Sequence, residues 1–372
     1  MGRALALAER GGGATAPNPM VGCVIAGATG DILGEGWHAR AGGPHAEVAA
    51  LAAAAAAGRD VRGATAVVTL EPCAHEGQTP PCAERLRGAG IARVVYATPD
   101  PWTGKGGADR LRAAGVEVVD GVGGAGARRL NEPWFHFIAT GRPFIHVKVA
   151  QTLNGRVTRG AGEERWITGD EARQAVHRLR RRHRAILVGS GTVLADDPLL
   201  TVREWPPADP IEGDAAPDVG WPDVQPIRIV LDSSLRTPPG SRLLASAAQN
   251  PVWLLCGDDL RPGAEDALVA RGADVVRVAR GGRGLDLGAA LEVLAARDVT
   301  GVLVEAGPTL AAALLAEGLV DRWTAFVSPD RAEAADAQPL FPDAEPFLEL
   351  DAVEWTRHGR DAAVTGRPAR AF

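Results

Sequence analysis

The feature that most restricts the fold of this chain is an alternation of short apolar runs with helix-like segments. Apolar, partly β-branched runs that are typical of buried strands lie at residues 20–25, 64–70, 91–96 and 116–119. Between them, segments at 45–57, 81–88 and 108–114 predict helices, the first of which stops at a glycine. Strands that alternate with helices in this way predict an α/β fold with a mainly parallel or mixed sheet.

The alternation is interrupted by a turn near residues 140–143 and then resumes. Strands are predicted at 144–150, 185–188, 227–232, 252–256 and 301–305, and helices at 170–182, 287–296 and 309–318. A Pro- and Asp-rich segment without periodicity, residues 204–225, predicts an exposed insertion. We therefore expect two α/β domains, residues 1–141 and 142–372.

Charge and hydropathy exclude several classes of partner. The 46 acidic and 40 basic residues give a net charge of −6, which offers no electrostatic reason to bind nucleic acid or an anionic membrane. The basic run at 178–184 is accordingly predicted to be mostly a solvated helix face. The chain has no apolar run of 18 residues, and the apolar stretch near its start is too short for the hydrophobic region of a signal peptide. We expect a soluble cytoplasmic protein.

A cluster of candidate metal ligands is the strongest chemical signal in the chain. His45 and Glu47 stand at the start of a predicted helix, and Cys73 and Cys82 follow a predicted strand. One imidazole and two thiolates suit Zn²⁺, and three protein ligands leave a fourth position for water, which zinc activates for attack near neutral pH. Glu47 is then a proton shuttle rather than a ligand. The alternative is a structural zinc site that takes His75 as its fourth ligand.

His-x-Glu followed by Pro-Cys is the signature of zinc nucleobase deaminases. The long loop from Cys73 to Cys82, with the opening Pro17-Asn18-Pro19-Met20-Val21-Gly22, resembles the deaminase half of the bifunctional riboflavin-biosynthesis deaminase-reductases. The second half of the chain also resembles that family, in the motifs at 166–168, 191–198 and 305–310. The resemblance implies a cytidine-deaminase-like α/β/α sandwich joined to a dihydrofolate-reductase-like α/β domain.

The same resemblance implies roles for residues in the first domain. His45, Cys73 and Cys82 would bind Zn²⁺, and Glu47 would take a proton from water and give one to the leaving ammonia. The substrate implied is a phosphorylated pyrimidine. The residues that would contact it are Asn18, His38, His75 and Asp100.

No G-x-G-x-x-G that follows a strand has an acidic residue about twenty residues later, so a Rossmann fold is not indicated. For the second domain the resemblance implies NADPH. Lys105 and Lys148 are the only lysines among 40 basic residues, and Lys148 matches the family's active-site lysine. The residues that would hold the cofactor are Ala150, Trp166, Thr192, Asp196, Gly307, Pro308, Thr309 and Leu310. Those that would contact the phosphorylated sugar are Glu164, Arg180, Leu200, Arg203 and Glu305.

The chain departs from the family pattern at several positions. Gln78 replaces a basic residue expected to meet the substrate phosphate, a charge that Lys105 could supply, and Trp102 stands where Asn is common. Further departures are Asn154 for Asp, Glu164 for Ser, and the segment Ser328-Pro329-Asp330-Arg331. Three alternatives therefore stay open: a deaminase with a degenerate second domain, a deaminase of tRNA or free cytidine, and a non-enzymatic zinc module. Homo-oligomer formation is left undecided by the sequence.

Overall fold

The computed structural model describes residues 1–75, 80–101, 106–164, 166–203, 224–282, 284–341 and 348–369. It forms two compact units, of which the first includes Met1–Gly141 and the second includes residues 142–203 and 225–369. Within the described residues, no helix combines the length and the hydrophobicity that a membrane crossing requires.

The first unit is built on a five-stranded mixed sheet with strand order β2-β1-β3-β4-β5. Strand β1 is antiparallel to both β2 and β3, whereas β3, β4 and β5 are parallel. Its elements are, in chain order, α1 (Gly2–Glu9), β1 (Gly22–Ala26), β2 (Ile32–Trp37), α2 (Ala46–Ala56), β3 (Thr65–Val68), α3 (Cys82–Gly88), β4 (Arg93–Tyr96), α4 (Gly107–Ala113), β5 (Glu117–Val119), α5 (Gly124–Leu130) and α6 (Glu132–Thr140).

Small residues bring the Ala-rich helix α2 unusually close to this sheet. Ala46 and Ala50, one turn apart on α2, are completely buried. A Cβ atom on Gly36 of β2 would lie only 2.4 Å from the backbone nitrogen of Ala50, so only glycine permits this contact. The approach places the first turn of α2 directly against the sheet.

The second unit has a nine-stranded sheet with strand order β10-β9-β8-β7-β13-β6-β14-β16-β15. The first seven strands in this order, from β10 through β9, β8, β7, β13 and β6 to β14, are parallel. Strands β16 and β15 add an antiparallel edge. The elements are β6 (Phe144–Thr152), α7 (Asp170–Arg182), β7 (Ala185–Gly189), α8 (Ser190–Asp196), β8 (Ile227–Leu231), α9 (Arg242–Ala245), β9 (Val252–Gly257), α10 (Asp266–Val269), β10 (Asp274–Val278), β11 (Arg280–Gly281), β12 (Gly284–Leu285), α11 (Leu287–Ala295), β13 (Gly301–Glu305), α12 (Pro308–Ala316), β14 (Arg322–Ser328), β15 (Leu350–His358) and β16 (Asp361–Pro368).

The core of the second unit lies on the central parallel strands. Ile145, Ile229 and Val302 are completely buried, together with Leu294 of α11. Strand β13 lies between β6 and β7 although it follows both in the sequence by more than 100 residues. The strand order therefore reverses here, and in α/β sheets ligands bind at the carboxyl ends of the strands at such a point.

The prediction of two α/β regions with mixed sheets is confirmed. One expectation about the surface is wrong, because the basic run at 178–184 is not mostly solvated. In that run only Arg182 is exposed, and the side chains of Arg181 and His183 are buried. The predicted insertion at 204–225 falls almost entirely outside the described residues.

Candidate functional site

The topology of the first unit gathers the predicted deaminase residues at one edge of its sheet. Because β1 is antiparallel to β2 and β3, its beginning lies beside the ends of those strands. Asn18 precedes β1 and His38 directly follows β2, while Cys73 and Asp100 follow β3 and β4. Residues far apart in the sequence therefore meet at this edge.

His45, Cys73 and Cys82 form the metal-ligand group of the described residues, with ligand atoms that all lie within 4.8 Å of one another. His45 is the N-cap residue of α2, and Cys82 begins α3. The Nδ1 atom of His45 lies 3.6 Å from Cys73 Sγ and 3.2 Å from Cys82 Sγ. His75 is exposed and lies outside this group.

These distances fit a tetrahedral zinc ion. Bonds of about 2.3 Å to sulfur and about 2.1 Å to nitrogen place neighbouring ligand atoms roughly 3.5 Å apart. Hydrogen bonds from the Cys82 thiol and from His45 lower the pKa of Cys73 to about 4, which favours the thiolate that binds metal. The pKa of Cys82 is raised because its proton is shared with Cys73.

Glu47 is almost fully buried beside this group. It lies in the first turn of α2, and burial raises its pKa to about 7. A carboxyl group with such a pKa can both accept and release a proton near neutral pH. This property suits the predicted proton shuttle.

The neighbouring histidine, His38, has a fixed orientation. Its Nδ1–H donates to the carbonyl oxygen of Pro44 at 3.0 Å, so that Nε2 is left to accept from the Asn18 amide at 3.4 Å. Burial lowers the pKa of His38, which favours the neutral ring. Its ring centroid is 5.7 Å from that of His45, and the two predicted substrate contacts therefore lie next to the metal-ligand group.

Glu71 is a functional residue of this region that sequence reasoning missed. Its buried carboxylate accepts hydrogen bonds from the backbone N–H groups of Asp100, Gly106 and Ala108. A Cβ atom on Gly107 would lie only 1.8 Å from the oxygen of Pro72, which explains the glycine. Glu71 therefore ties the loop that carries Asp100 to the segment that carries Cys73. Its position two residues before Cys73 was the available signal. Gln78, Trp102 and Lys105 lie outside the described residues.

In the second unit the predicted residues lie at the carboxyl edge of the parallel strands. Lys148 of β6 is paired in register with Glu305 of β13. Arg180 of α7 approaches Glu305 through two hydrogen bonds, Nε–Oε1 at 2.5 Å and Nη2–Oε2 at 3.0 Å. The third nitrogen of Arg180 donates to the Thr201 oxygen at 2.9 Å. Three separate elements thus meet at one carboxylate.

Charges dominate this second cluster. Burial opposes ionisation of Glu305, but Arg180 outweighs it and, with Lys148, lowers the pKa of Glu305 to about 2. Burial lowers the pKa of Lys148, and Glu305 and Asp196 act in the opposite direction. Glu305 is therefore ionised near neutral pH, with two cations beside it.

His177 is a second residue that sequence reasoning missed. It lies one helical turn before Arg180, and its Nδ1 accepts from the backbone N–H of Arg203 at 3.3 Å. Arg203 in turn donates to Thr201 Oγ1 at 2.9 Å. Burial and the two arginines lower the pKa of His177 to about 4, so the ring is neutral. The spacing of three from Arg180 on a helix was the available signal.

The predicted cofactor residues lie on two neighbouring turns. Thr192 and Asp196 belong to α8, directly after β7, and Gly307 is the N-cap of α12, directly after β13. A Cβ atom on Gly307 would lie 3.8 Å from Thr192 Oγ1, which shows how closely the turns approach. Pro308, Thr309 and Leu310 form the first turn of α12. Leu200 is buried, whereas Glu164 is exposed.

Trp166 is half exposed, and its loop is fastened by hydrogen bonds. Arg159 donates to the carbonyl oxygens of Trp166 and Ile167, at 3.1 Å and 3.2 Å, and to Asp330 at 2.7 Å. The guanidinium of Arg173 lies 5.0 Å from the Trp166 ring centroid. Ala150 lies on β6, two residues after Lys148 and therefore on the same face of the strand.

Comparison with protein families assigns each half of the chain. Residues 1–98 match the cytidine and deoxycytidylate deaminase zinc-binding region, and residues 143–364 match the RibD C-terminal domain. The riboflavin biosynthesis protein RibD of Escherichia coli (strain K12) is 43% identical over 332 residues, 88% of this chain and 86% of that protein. Its counterpart from Aquifex aeolicus is 40% identical over 329 residues, 88% of this chain and 85% of that protein.

Solved structures give the same assignment. RibD of Acinetobacter baumannii, form 1, superposes with a TM-score of 0.81 at 36% identity, covering 99% of this chain and 98% of that one. A diaminohydroxyphosphoribosylaminopyrimidine deaminase/5-amino-6-(5-phosphoribosylamino)uracil reductase from Thermotoga maritima superposes with a TM-score of 0.80 at 31% identity, covering 99% and 97%. The similarity therefore extends over both units.

Proposed function

Since the chain belongs to the family of the riboflavin biosynthesis protein RibD and is a bifunctional deaminase-reductase, we propose the substrate of each unit. The first would hydrolyse the 2-amino group of 2,5-diamino-6-ribosylamino-4(3H)-pyrimidinone 5′-phosphate. The second would reduce 5-amino-6-(5-phosphoribosylamino)uracil to the ribitylamino product with NADPH. The observation that carries the proposal is the His45, Cys73 and Cys82 group with buried Glu47 beside it.

In the deaminase unit, His45, Cys73 and Cys82 would hold zinc, which when bound supplies Lewis-acid activation of water. Glu47 would accept a proton from that water at a carboxylate oxygen and deliver one to the departing amino group. Asn18 and His38, linked by a hydrogen bond, would orient the flat pyrimidinone ring. The cytoplasm expected from the sequence is a reducing compartment, in which both thiols would stay reduced.

In the reductase unit, NADPH would lie along Thr192, Asp196 and the Gly307 turn, and when bound it supplies the hydride. Two neighbouring turns with hydroxyl groups and free space at the glycine suit such a ligand. Lys148 would donate a hydrogen bond to the sugar that is reduced. Burial lowers the pKa of Lys148, and the Glu305 carboxylate acts against that shift. Arg203 would supply charge for the sugar phosphate.

The departures in the second unit are compatible with this proposal. The Asn154 side chain donates to the oxygen of Ala332 at 2.9 Å and accepts from its N–H at 3.1 Å. An ionised aspartate could accept but not donate here. Asn154 and the altered segment next to Ala332 thus fit each other, which supports a working reductase over a degenerate one.

Incubation with the diaminopyrimidinone phosphate, with and without NADPH, followed by mass spectrometry tests both halves. We expect the deaminated product without NADPH and the ribitylamino product only with it. Deaminated product alone in both samples would show that only the first unit works. Unchanged substrate in both samples would refute the proposal. Turnover of cytidine or tRNA in parallel samples would instead identify the deaminase as one that acts on those substrates.

A further inference from the structure

The junction of the last two helices of the first unit carries a buried asparagine without an assigned role. Asn131 is the C-cap residue of α5 and the N-cap residue of α6, and it is almost fully buried. Its side-chain oxygen accepts from the backbone N–H of Met20 at 2.8 Å, and its side-chain nitrogen donates to the Met20 carbonyl oxygen at 2.8 Å. One amide side chain therefore satisfies both main-chain polar groups of Met20.

The helices themselves do not explain these two hydrogen bonds. Asparagine is favoured at the start of a helix because its side chain can accept from the N–H groups of the first turn. In α6, which the structure describes from end to end, the side chain of Asn131 makes no such bond. The backbone of Asn131 joins the two helices, since its N–H donates to the Ala127 oxygen and its carbonyl accepts from the Phe135 N–H. The side chain is used for Met20 instead.

Met20 belongs to the segment that presents Asn18 to the deaminase site. Asn18 stands between two prolines, which have no N–H group, so the main chain offers few points of attachment here. Before the segment, the Asn18 N–H donates to the Thr15 oxygen at 2.8 Å, and after it Asn131 holds Met20. The Asn18 amide, 3.4 Å from His38 Nε2, is thus fixed from both sides.

Loss of the Asn131 amide would reach Asn18 through the main chain. Met20 is buried, so its N–H and carbonyl groups would be left without partners, which is costly enough to shift the segment. Asn18 lies only two residues before Met20 and would move with it. A displacement of about 1 Å in a group that orients a substrate can lower the rate by about 10²-fold.

We propose that Asn131 is a positioning residue of the deaminase, which acts through Met20 to hold Asn18 against the pyrimidinone ring. The assignment rests on the proposed function, in which Asn18 contacts the substrate. Helices α5 and α6 lie beyond residues 1–98, the part of the chain that matches the deaminase zinc-binding region. The junction of these helices is nevertheless needed to complete the substrate site.

A double-mutant cycle tests this assignment. We expect Asn131→Leu, which removes both hydrogen bonds at similar size, to lower kcat/KM for deamination of the diaminopyrimidinone phosphate by roughly tenfold to a hundredfold. Asn18→Ala should cause a loss at least as large. In the double variant, Asn131→Leu should add less than about a threefold loss, because the side chain through which it acts is already gone. A residue that only stabilises the fold would give losses that multiply.

The matched control is Thr140→Val, which removes the hydrogen bond from the Thr140 hydroxyl to the His136 oxygen at the exposed end of α6. It should deaminate at the wild-type rate, and every variant should bind as much zinc as the wild type. If Asn131→Leu did not fold or lost zinc, the same cycle with Asn131→Asp would decide, because aspartate keeps the shape and the acceptor for the Met20 N–H.

The outcomes separate this assignment from the proposed function. Losses that multiply in the double variant, or an Asn131→Leu enzyme as active as the wild type, overturn the role of Asn131 alone. An Asn18→Ala enzyme with wild-type kcat/KM overturns the proposed substrate contact as well. A wild type that does not deaminate the pyrimidinone overturns the proposed function itself.

Discussion

The two candidate sites lie at equivalent edges of their sheets but are held together by different interactions. In the first unit, backbone hydrogen bonds and close glycine contacts place His45, Cys73 and Cys82 around a position that suits a cation. In the second, the ionised side chains of Glu305, Arg180 and Lys148 hold one another. The first site would be completed by a bound metal ion, whereas the charges of the second site belong to its own side chains. The effect of a substitution should therefore stay local in the first site and extend to neighbouring residues in the second.

The largest effect is expected at Glu47. Glu47→Gln keeps the shape but not the proton transfer, so deamination should fall by roughly 10²–10⁴-fold. Bound zinc, measured by atomic emission, and reductase activity on the deaminated product should both be retained. Removal of zinc by a chelator should abolish deamination and leave reduction intact.

A variant that lost zinc together with activity would show that Glu47 acts as a ligand or supports the fold. Glu84→Gln is a suitable control, since Glu84 lies in α3 and forms an ion pair with Arg87. It should deaminate at the wild-type rate.

Lys148→Arg is expected to remove most reductase activity, by about 10²-fold, because a planar guanidinium cannot take the place of a compact ammonium beside Glu305. Deamination by the same protein serves as the internal control and should be unchanged. Equal reductase activity in variant and wild type would contradict the role of Lys148.

Glu305→Gln tests whether changes spread in the second site. The variant leaves Arg180 and Lys148 without their carboxylate, and we expect the free energy of unfolding in urea to fall by about 2 kcal/mol. Because Glu305 raises the pKa of Lys148, its loss should also shift the alkaline limb of reductase activity to lower pH.

The matched control is Glu265→Gln, which breaks the more exposed pair with Arg277. This variant should lower the free energy of unfolding by less than about 1 kcal/mol and leave the pH profile of the reductase unchanged. Equal losses in both variants would mean that the Glu305 pair is an ordinary surface ion pair.

The sequence predicts the first site far better than the second. His45, Cys73 and Cys82 lie within one short stretch, and their residue types alone identify zinc chemistry. Arg180 and Glu305 are 125 residues apart, and neither type nor spacing indicates that they form a pair. Only the insertion of β13 between β6 and β7 brings them together.

The same distinction applies to the fold. Helix α7 was predicted with its observed bounds, because its first residues follow a glycine and its apolar positions recur with helical spacing. Strand β2 was missed, since Gly34 and Gly36 break its apolar pattern to admit α2. Strand β15 was missed because most of its residues are exposed, so that no alternation marks it.

The smallest effect concerns the stability of the second unit at acid pH. Burial, the neighbouring His183 and two arginines lower the pKa of His146 well below its usual value. A histidine with a depressed folded pKa contributes stability above about pH 6.5 that is lost as the pH falls. Between pH 6 and pH 5 we expect the free energy of unfolding to drop by about 1 kcal/mol more in the wild type than in His146→Gln.

The glutamine retains a partner for the Thr324 hydroxyl, which now bonds to His146 Nε2 at 2.8 Å, but cannot take up a proton. His75→Gln, at an exposed histidine, should keep the wild-type dependence on pH. If His146→Gln lost stability with pH as steeply as the wild type, the buried ring would not be the group that titrates. In that case acid would weaken the second site through other groups, such as His177, whose pKa is also lowered. His146 itself lies on β6, two residues before Lys148.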